Sequence, residues 1–425
     1  MTTFDLDQAP FPVEGQRAQF PALQSAGRFV FLDNAAGAQV PQRVLDAVNR
    51  HLLENNVQRG GRYRLSMAVD RTIAAARERV AALINARRSE EIAFGMNATS
   101  FIRQVSLAIG QTLDKRPEII VTDLDHEANV ATWLALERMG AGIRWWRARD
   151  DGRLYPDDLR PLLGASTRLV ACTFASNAIG SIVDIRTVAG MTHAAGGELF
   201  VDAVHYGPHG PIDVQALDCD YLVCSGYKIF SPHMGFLWGR YAALRALPTF
   251  REDFIPDEPP GKLEAGTFVY ENVAGMAAAV DYLATLGRRI GGRDGDVDAD
   301  PRSLRQDCRE AMLGIQAYER TLSAALLERL EALGAKIYGI SDPKRVHERV
   351  PTVCFNLPGR TPAEVVAAAA AADIGIRDGH MYAPRLMQRL GLPAETGAVR
   401  VSAAHYNTVA EIDRLGQVLE RLRAR

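Results

Sequence analysis

Cys219-Asp-Tyr-Leu-Val-Cys-Ser-Gly-Tyr-Lys228-Ile-Phe-Ser-Pro-His-Met-Gly-Phe-Leu-Trp-Gly239 is the stretch from which the rest of the chain is read. Tyr221 to Cys224 is a short apolar run, and Ser225-Gly226 closes it with a turn signal. Gly235 to Trp238 resumes the run. The pattern predicts a buried strand, a turn, one lysine, a polar loop and a second strand. Lys228 falls just past a strand end, beside glycine and serine and among few other charges. Poor hydration there lowers a lysine's pKa toward the range where the neutral amine is nucleophilic. Such an amine forms a Schiff base with an aldehyde. A lone loop lysine is more often an exposed surface residue. Asp202, at the end of another expected strand, shifts that balance.

Working outward, short apolar runs alternate with helical patterns. Strands are expected at 91–94, 118–122, 143–146, 168–174 and 198–201, besides the two around Lys228. That alternation implies an α/β fold with a mostly parallel, seven-stranded sheet and helices on both faces. In such sheets the ligand lies beyond the carboxyl ends of the strands. Thr99, His126, Asn177, Asp202, Ser225 and Lys228 all follow strand ends. Asn97-Ala98-Thr99-Ser100 opens a helix, and a helix N-terminus with free N–H groups and a hydroxyl binds phosphate. The competing reading is that Thr99 or Ser100 merely caps that helix. Residues 1–28 read as an irregular N-terminal arm and 29–302 as a large domain. Within it, the Gly-, Arg- and Asp-rich stretch 287–305 reads as a hinge or insertion. Residues 303–425 read as a smaller α+β domain.

Of 425 residues, 47% are hydrophobic and 24% charged, ample for a globular core. Net charge is −2, so no bulk field draws the chain to nucleic acid or to an anionic membrane. The basic loop at 59–64 is as readily a solvated surface loop as one facing a site or partner subunit. The five cysteines are scattered without a CxxC pair and read as reduced core residues of a cytoplasmic protein, with no metal site. No apolar window is long enough to span a membrane, and no signal peptide is expected. A carboxylate and a Schiff-base lysine on one parallel sheet suit pyridoxal phosphate, whose ring nitrogen the acid keeps protonated.

The ordered motifs resemble the fold-type I pyridoxal-phosphate enzymes of the class V aminotransferase group. Within it they are most similar to SufS-type cysteine desulfurases and their desulfurase-like relatives. The resemblance runs from Phe31-Leu-Asp-Asn-Ala-Ala-Gly-Ala-Gln39 to Arg400-Val-Ser-Ala-Ala-His-Tyr-Asn-Thr408. It implies that Lys228 carries the cofactor and later shuttles the Cα proton. Asp202 would pair with the pyridine nitrogen, His126 stack on the ring and Asn177 lie near the ring hydroxyl. Ala98, Thr99, Ser225 and Tyr227 would line the cofactor, and His205 would donate to its ring oxygen. Thr267 would reach the phosphate of a neighbouring subunit, so the family pattern implies a homodimer. Arg400 would clamp the substrate α-carboxylate, a task that suits guanidinium better than ammonium. Ala35 and Ala36 would leave room for the substrate, with His380 nearby.

Three departures from the family pattern stand out. His205 replaces a glutamine and Tyr227 replaces a histidine before the lysine. In Arg377-Asp-Gly-His-Met-Tyr382-Ala, Tyr382 stands where the persulfide-forming cysteine is expected. A phenol cannot accept sulfur as a persulfide. The expectation is therefore an enzyme acting on a small L-amino acid through an external aldimine and Cα deprotonation. The first choice is a C–S or other β-lyase reaction, with Tyr382 as acid to the leaving group. Transamination, epimerisation and a non-catalytic pyridoxal-phosphate-binding scaffold remain open. For Tyr382 and His380, plain loop packing stands level with a catalytic role.

Overall fold

The computed structural model describes residues 11–293, 300–393 and 395–424. Seven strands form the central sheet: β1 (Ile92–Gly95), β2 (Glu118–Thr122), β3 (Gly142–Trp146), β4 (Thr167–Thr173), β5 (Glu198–Asp202), β6 (Tyr221–Ser225) and β7 (Gly235–Gly239). Their order is β1-β7-β6-β5-β4-β2-β3. Only β7 runs against its neighbours; the other pairings are parallel. The fold class expected from the alternation of elements is the one observed. The six codirectional strands deliver their carboxyl ends to one edge of the sheet.

Because a strand's side chains alternate between faces, apolar runs buried on both sides feed two cores. Ile119, Val121, Leu169, Ala171 and Phe200 pack with Phe101, Val105 and Trp133 on one face. Ile120, Val170, Cys172 and Val201 pack on the other against the helices Arg64–Ile84 and Tyr270–Ile290. All five cysteines are free and buried, as their scatter suggested.

A second sheet carries β8 (Lys336–Tyr338), β9 (Thr352–Asn356), β10 (Arg377–Gly379) and β11 (Ala398–Ser402), in the order β10-β11-β9-β8. The helix Pro301–Ala332 ties it to the first. Leu304, Cys308 and Met312 of that helix enter the large core, and Leu322, Leu326 and Leu330 enter the small one.

Several local readings need correction. The N-terminal arm, where described, is not irregular: Val13–Arg17 and Pro21–Ser25 are helical, and Phe20 is buried edge-on to Phe230 and Tyr282. Residues 1–10 of that arm lie outside the described residues. In the stretch 287–305, Gly287 to Ile290 end one helix and Pro301 to Arg305 begin the next. Gly287 is needed for their close approach, since a Cβ there would fall 1.8 Å from the Asp307 carbonyl oxygen. Residues 294–299 lie outside the described residues. The basic loop before the helix Arg64–Ile84 is shorter than expected, because Arg64 already belongs to the helix. After Gly375, β10 pairs with β11 and sets Arg377 opposite Arg400.

Candidate active site

The crevice at the carboxyl edge is built from the ends of β1, β2, β4, β5 and β6. After β1 the chain turns into the helix Ala98–Gly110, which places Ala98 and Thr99 in the wall. Asn97 caps this helix by accepting from the Ser100 amide at 2.8 Å. Thr99 is therefore not the cap of this helix. Gly235 makes room for the turn: a Cβ there would meet the Asn97 carbonyl carbon at 2.6 Å. After β2 comes His126, whose Nδ1 accepts from the Ala128 amide at 3.1 Å. Asp125, fully buried, accepts from Asn129 Nδ2 at 2.7 Å and from the Thr122 hydroxyl, which pins the turn that aims His126. Thr173 ends β4 and Asn177 follows it, Asp202 ends β5 and His205 follows it, and Ser225 ends β6 with Tyr227 and Lys228 just beyond.

Burial governs the charges. Lys228 is 6% exposed. Desolvation, then repulsion from Arg400, lowers its pKa to about 8, with Asp202 pulling the other way. The amine is thus neutral in a substantial fraction near physiological pH. Asp202 is pushed up by burial, against the Val204 amide, which donates to Oδ1 at 2.9 Å, and the Lys228 charge. A buried carboxylate of this kind gains from a cationic partner. His126 is driven down to about 4 by burial, Lys228 and Arg400, which keeps its ring neutral. His205 is lowered by the same burial, then by His209, Lys228 and Arg400.

The second sheet and its loops abut the crevice, through contacts to Asn177. Arg400 is 2% exposed; its Nη1 donates to the Asn177 carbonyl at 3.0 Å and its Nη2 to Asp33 Oδ1 at 2.9 Å. The Asp33 Oδ2 accepts from Arg377 Nε at 2.9 Å. One carboxylate thus joins two guanidinium groups. The turn Asp33–Gly37 is fastened by the Ala35 amide, which donates to the Ser402 hydroxyl at 2.8 Å, and by Asn34, which donates to Asn407. Ala36 precedes Gly37, and the next residue, Ala38, donates its amide to the Tyr227 carbonyl at 3.0 Å. The turn therefore bridges the Arg400 strand and the Lys228 loop. Met381 and Tyr382 both have positive φ, 53° and 56°. Asn177 Nδ2 donates to the Met381 carbonyl at 2.7 Å, and the Glu127 amide to the Tyr382 carbonyl at 2.8 Å. The Tyr382 ring is 5.7 Å from His126 and 6.0 Å from His380, and 55% of Tyr382 is exposed.

Nine of the ten expected cofactor-facing residues line this one crevice. Thr267 does not: it is exposed and accepts from Gln58 Nε2 at 2.6 Å. Among the contributors not singled out from sequence are Thr173, Asp33 and Thr352. Asp33 sat inside a quoted motif, but its turn was read for its small residues. Thr352 bears on His205 at 2.9 Å from a distant strand, with no local signal.

The site can be tested for fit to pyridoxal phosphate on its own atoms. His205 Nδ1, Asn177 Oδ1 and Arg400 Nε are buried polar atoms with no hydrogen-bond partner among the described residues. Buried orphans of this kind are costly unless a ligand satisfies them. They stand with a low-pKa lysine, a buried acid and a helix N-terminus, which is a donor set that fits the cofactor.

A mostly parallel sheet carrying a buried lysine and a buried acid at its carboxyl edge is an arrangement that fits the fold-type I pyridoxal-phosphate enzymes. The model of the family described as Aminotransferase class-V matches residues 30–292 and 309–415. The chain is 34% identical to the Aminotransferase-like protein FGM3 of Gibberella zeae, over 98% of this chain and 99% of that one. It is 33% identical to a cysteine desulfurase of Serratia proteamaculans, over 97% of this chain and 98% of the relative. The crystal structure of the cysteine desulfurase CsdA from Escherichia coli superposes with a TM-score of 0.81 at 28% identity, covering 97% and 98% of the two chains. The chain belongs to the class V aminotransferase family and is a cysteine desulfurase-like, pyridoxal-phosphate-dependent enzyme.

Proposed function

We infer that the chain acts on a small L-amino acid by removing its Cα proton, and that a C–S or other β-elimination follows. The observation that carries this reading is Lys228: a buried amine with a pKa of about 8, in one crevice with Asp202 and His126. Pyridoxal phosphate, when bound, supplies a sink for the electron pair left at Cα. Lys228 would hold the cofactor and, once freed from it, take and return the Cα proton. Asp202 would lie at the ring nitrogen, the neutral His126 against the ring face, and Asn177 and His205 at the ring oxygen. Thr99, the Ala98 amide and Ser225 would hold the phosphate, with Tyr227 beside them. Arg400 would take the substrate carboxylate with the N–H groups that Asp33 and Asn177 leave free, and Ala35 and Ala36 leave space there. Tyr382, next to His380 and His126, would deliver a proton to the group leaving Cβ.

A second reading rests on one observation: the segment 377–383 has no cysteine, and Tyr382 is its exposed polar tip. Sulfur relay through that loop is therefore not part of the proposal, and transamination or epimerisation is the alternative outcome. A scaffold that binds cofactor without turnover fits poorly with the buried Arg400. The proposal extends to a homodimer in the cytoplasm, with the exposed Thr267 facing a neighbouring subunit's phosphate. Support for that placement comes from five free buried cysteines and from the lack, among the described residues, of a helix long and apolar enough to cross a membrane.

The deciding experiment is an amino-acid panel with product analysis. Sulfide or another Cβ leaving group together with a keto acid is expected from one or more L-amino acids. Keto acid without loss of the β-substituent would favour transamination, and a racemised substrate would favour epimerisation. No spectral response to any amino acid would overturn the enzymatic reading.

A further inference from the structure

His205 and Thr352 form a pair that the chemistry above leaves unexplained. His205 is 2% exposed and lines the crevice, while Thr352 is fully buried as the first residue of β9 in the smaller sheet. The Thr352 hydroxyl lies 2.9 Å from His205 Nε2 and has no other hydrogen-bond partner among the described residues. His205 Nδ1 is buried and has none among the described residues. Gly180 brings the two sheets this close: its φ is +77°, and a Cβ there would fall 2.5 Å from the Thr352 carbonyl oxygen.

The proton bookkeeping follows from these contacts. A hydroxyl has one proton to donate, and a buried donor left without an acceptor costs more than an unused lone pair. The Thr352 proton has one acceptor within reach among the described residues, His205 Nε2, and with an anionic oxygen at Nδ1 only a bare Nε2 satisfies both donors, since the other tautomer strands the Thr352 proton and turns the Nδ1 lone pair on the anion. A buried imidazole beside Lys228 and Arg400 is neutral. Its single proton then sits on Nδ1, the atom without a partner.

We propose that Thr352 is a positioning residue that locks His205 in the Nδ1–H tautomer, so that a neutral imidazole offers an N–H to an anionic oxygen of the crevice ligand. On the functional reading above, on which this identification of the ligand rests, that oxygen is the ring oxygen of pyridoxal phosphate. The donor is thus set by a hydroxyl from the other sheet rather than by the strand that carries His205.

Nitrogen-15 NMR of the full chain, labelled at histidine and recorded with and without pyridoxal phosphate, reads the tautomer directly, with His205→Gln assigning the signal. The wild type is expected as Nδ1–H. Thr352→Val, which removes the hydroxyl at nearly constant shape, should shift His205 toward Nε2–H. Thr352→Ser should restore the wild-type pattern. Pyridoxal phosphate should bind the valine variant about threefold to tenfold more weakly, the worth of roughly one hydrogen bond, with serine close to wild type. An Nε2–H wild type, or a tautomer that Thr352→Val leaves alone, overturns the role of Thr352. Unchanged affinity in the valine variant overturns the donation to the ligand. If the wild-type chain takes up no pyridoxal phosphate, the functional reading fails, and the tautomer measurement still judges Thr352.

Discussion

On one side of the crevice stand Asp202, Ser225 and Lys228, each at a strand end and each less than a tenth exposed. On the other stands the segment Arg377–Ala383, with two consecutive left-handed residues and Tyr382 at 55% exposure. The first wall inherits its geometry from a parallel sheet buried on both faces. The second is held by a few backbone hydrogen bonds, from Asn177 and Glu127 among others, and spends strain to keep its shape. The difference suggests a division of labour. The buried wall sets charge and cofactor geometry, and the exposed wall sets which reaction follows.

If that division holds, the largest loss should come from the buried wall. Lys228→Ala should abolish the borohydride-reducible yellow adduct and lower turnover by about a thousandfold or more, at the upper end of what one proton-transfer group supplies. A variant that kept the adduct would place the covalent link elsewhere. The wild type should also show a signed pH response. Only the neutral amine captures an aldehyde, and the Lys228 pKa is lowered to about 8. Uptake of pyridoxal phosphate by the ligand-free chain should therefore quicken as pH rises through about 8 and level off above it. A rise centred near 10.5 would mean a hydrated, unperturbed lysine.

Where the two walls meet, Asp33 joins Arg400 to Arg377. Asp33→Asn keeps the shape and removes the charge that holds both guanidinium groups in place. KM for the amino acid should rise about tenfold, in line with charge-assisted hydrogen bonds, with a smaller change in kcat. A lower KM would give Asp33 the opposite role, a carboxylate competing with the substrate for Arg400.

Legibility in the sequence followed the same division. The seven strands, the carboxyl-edge crevice and the residues at its strand ends were readable because alternation and turn signals are local. Asn97 was passed over as a cap because Thr99 and Ser100 offered equally good chemistry one turn on. Asp33 and Thr352 were not readable, since each acts on a residue more than a hundred positions away. The helix ends inside 287–305 were missed because glycine and charge read as a hinge or insertion. There Gly287 instead serves helix-to-helix contact.

Two substitutions at Tyr382 separate its chemistry from its conformation. Tyr382→Phe removes only the hydroxyl. If that group protonates the leaving group, turnover should fall about a hundredfold with cofactor affinity unchanged; an unchanged rate would return the ring to packing. Tyr382→Gly asks the other question. At φ 56° a glycine sits without the steric cost a tyrosine bears, worth about 1–3 kcal/mol. Against that stands about 0.5–1 kcal/mol of added chain entropy in the unfolded state, and the backbone bonds to His380 and Glu127 stay available. The fold should therefore be as stable as wild type or up to about 1–2 kcal/mol more stable in denaturant melts, while activity is lost. A clear destabilisation would mean that the ring's contact with His126 outweighs the strain. The exposed wall would then be braced by packing much as the buried one is, and the proposed contrast between them would fail.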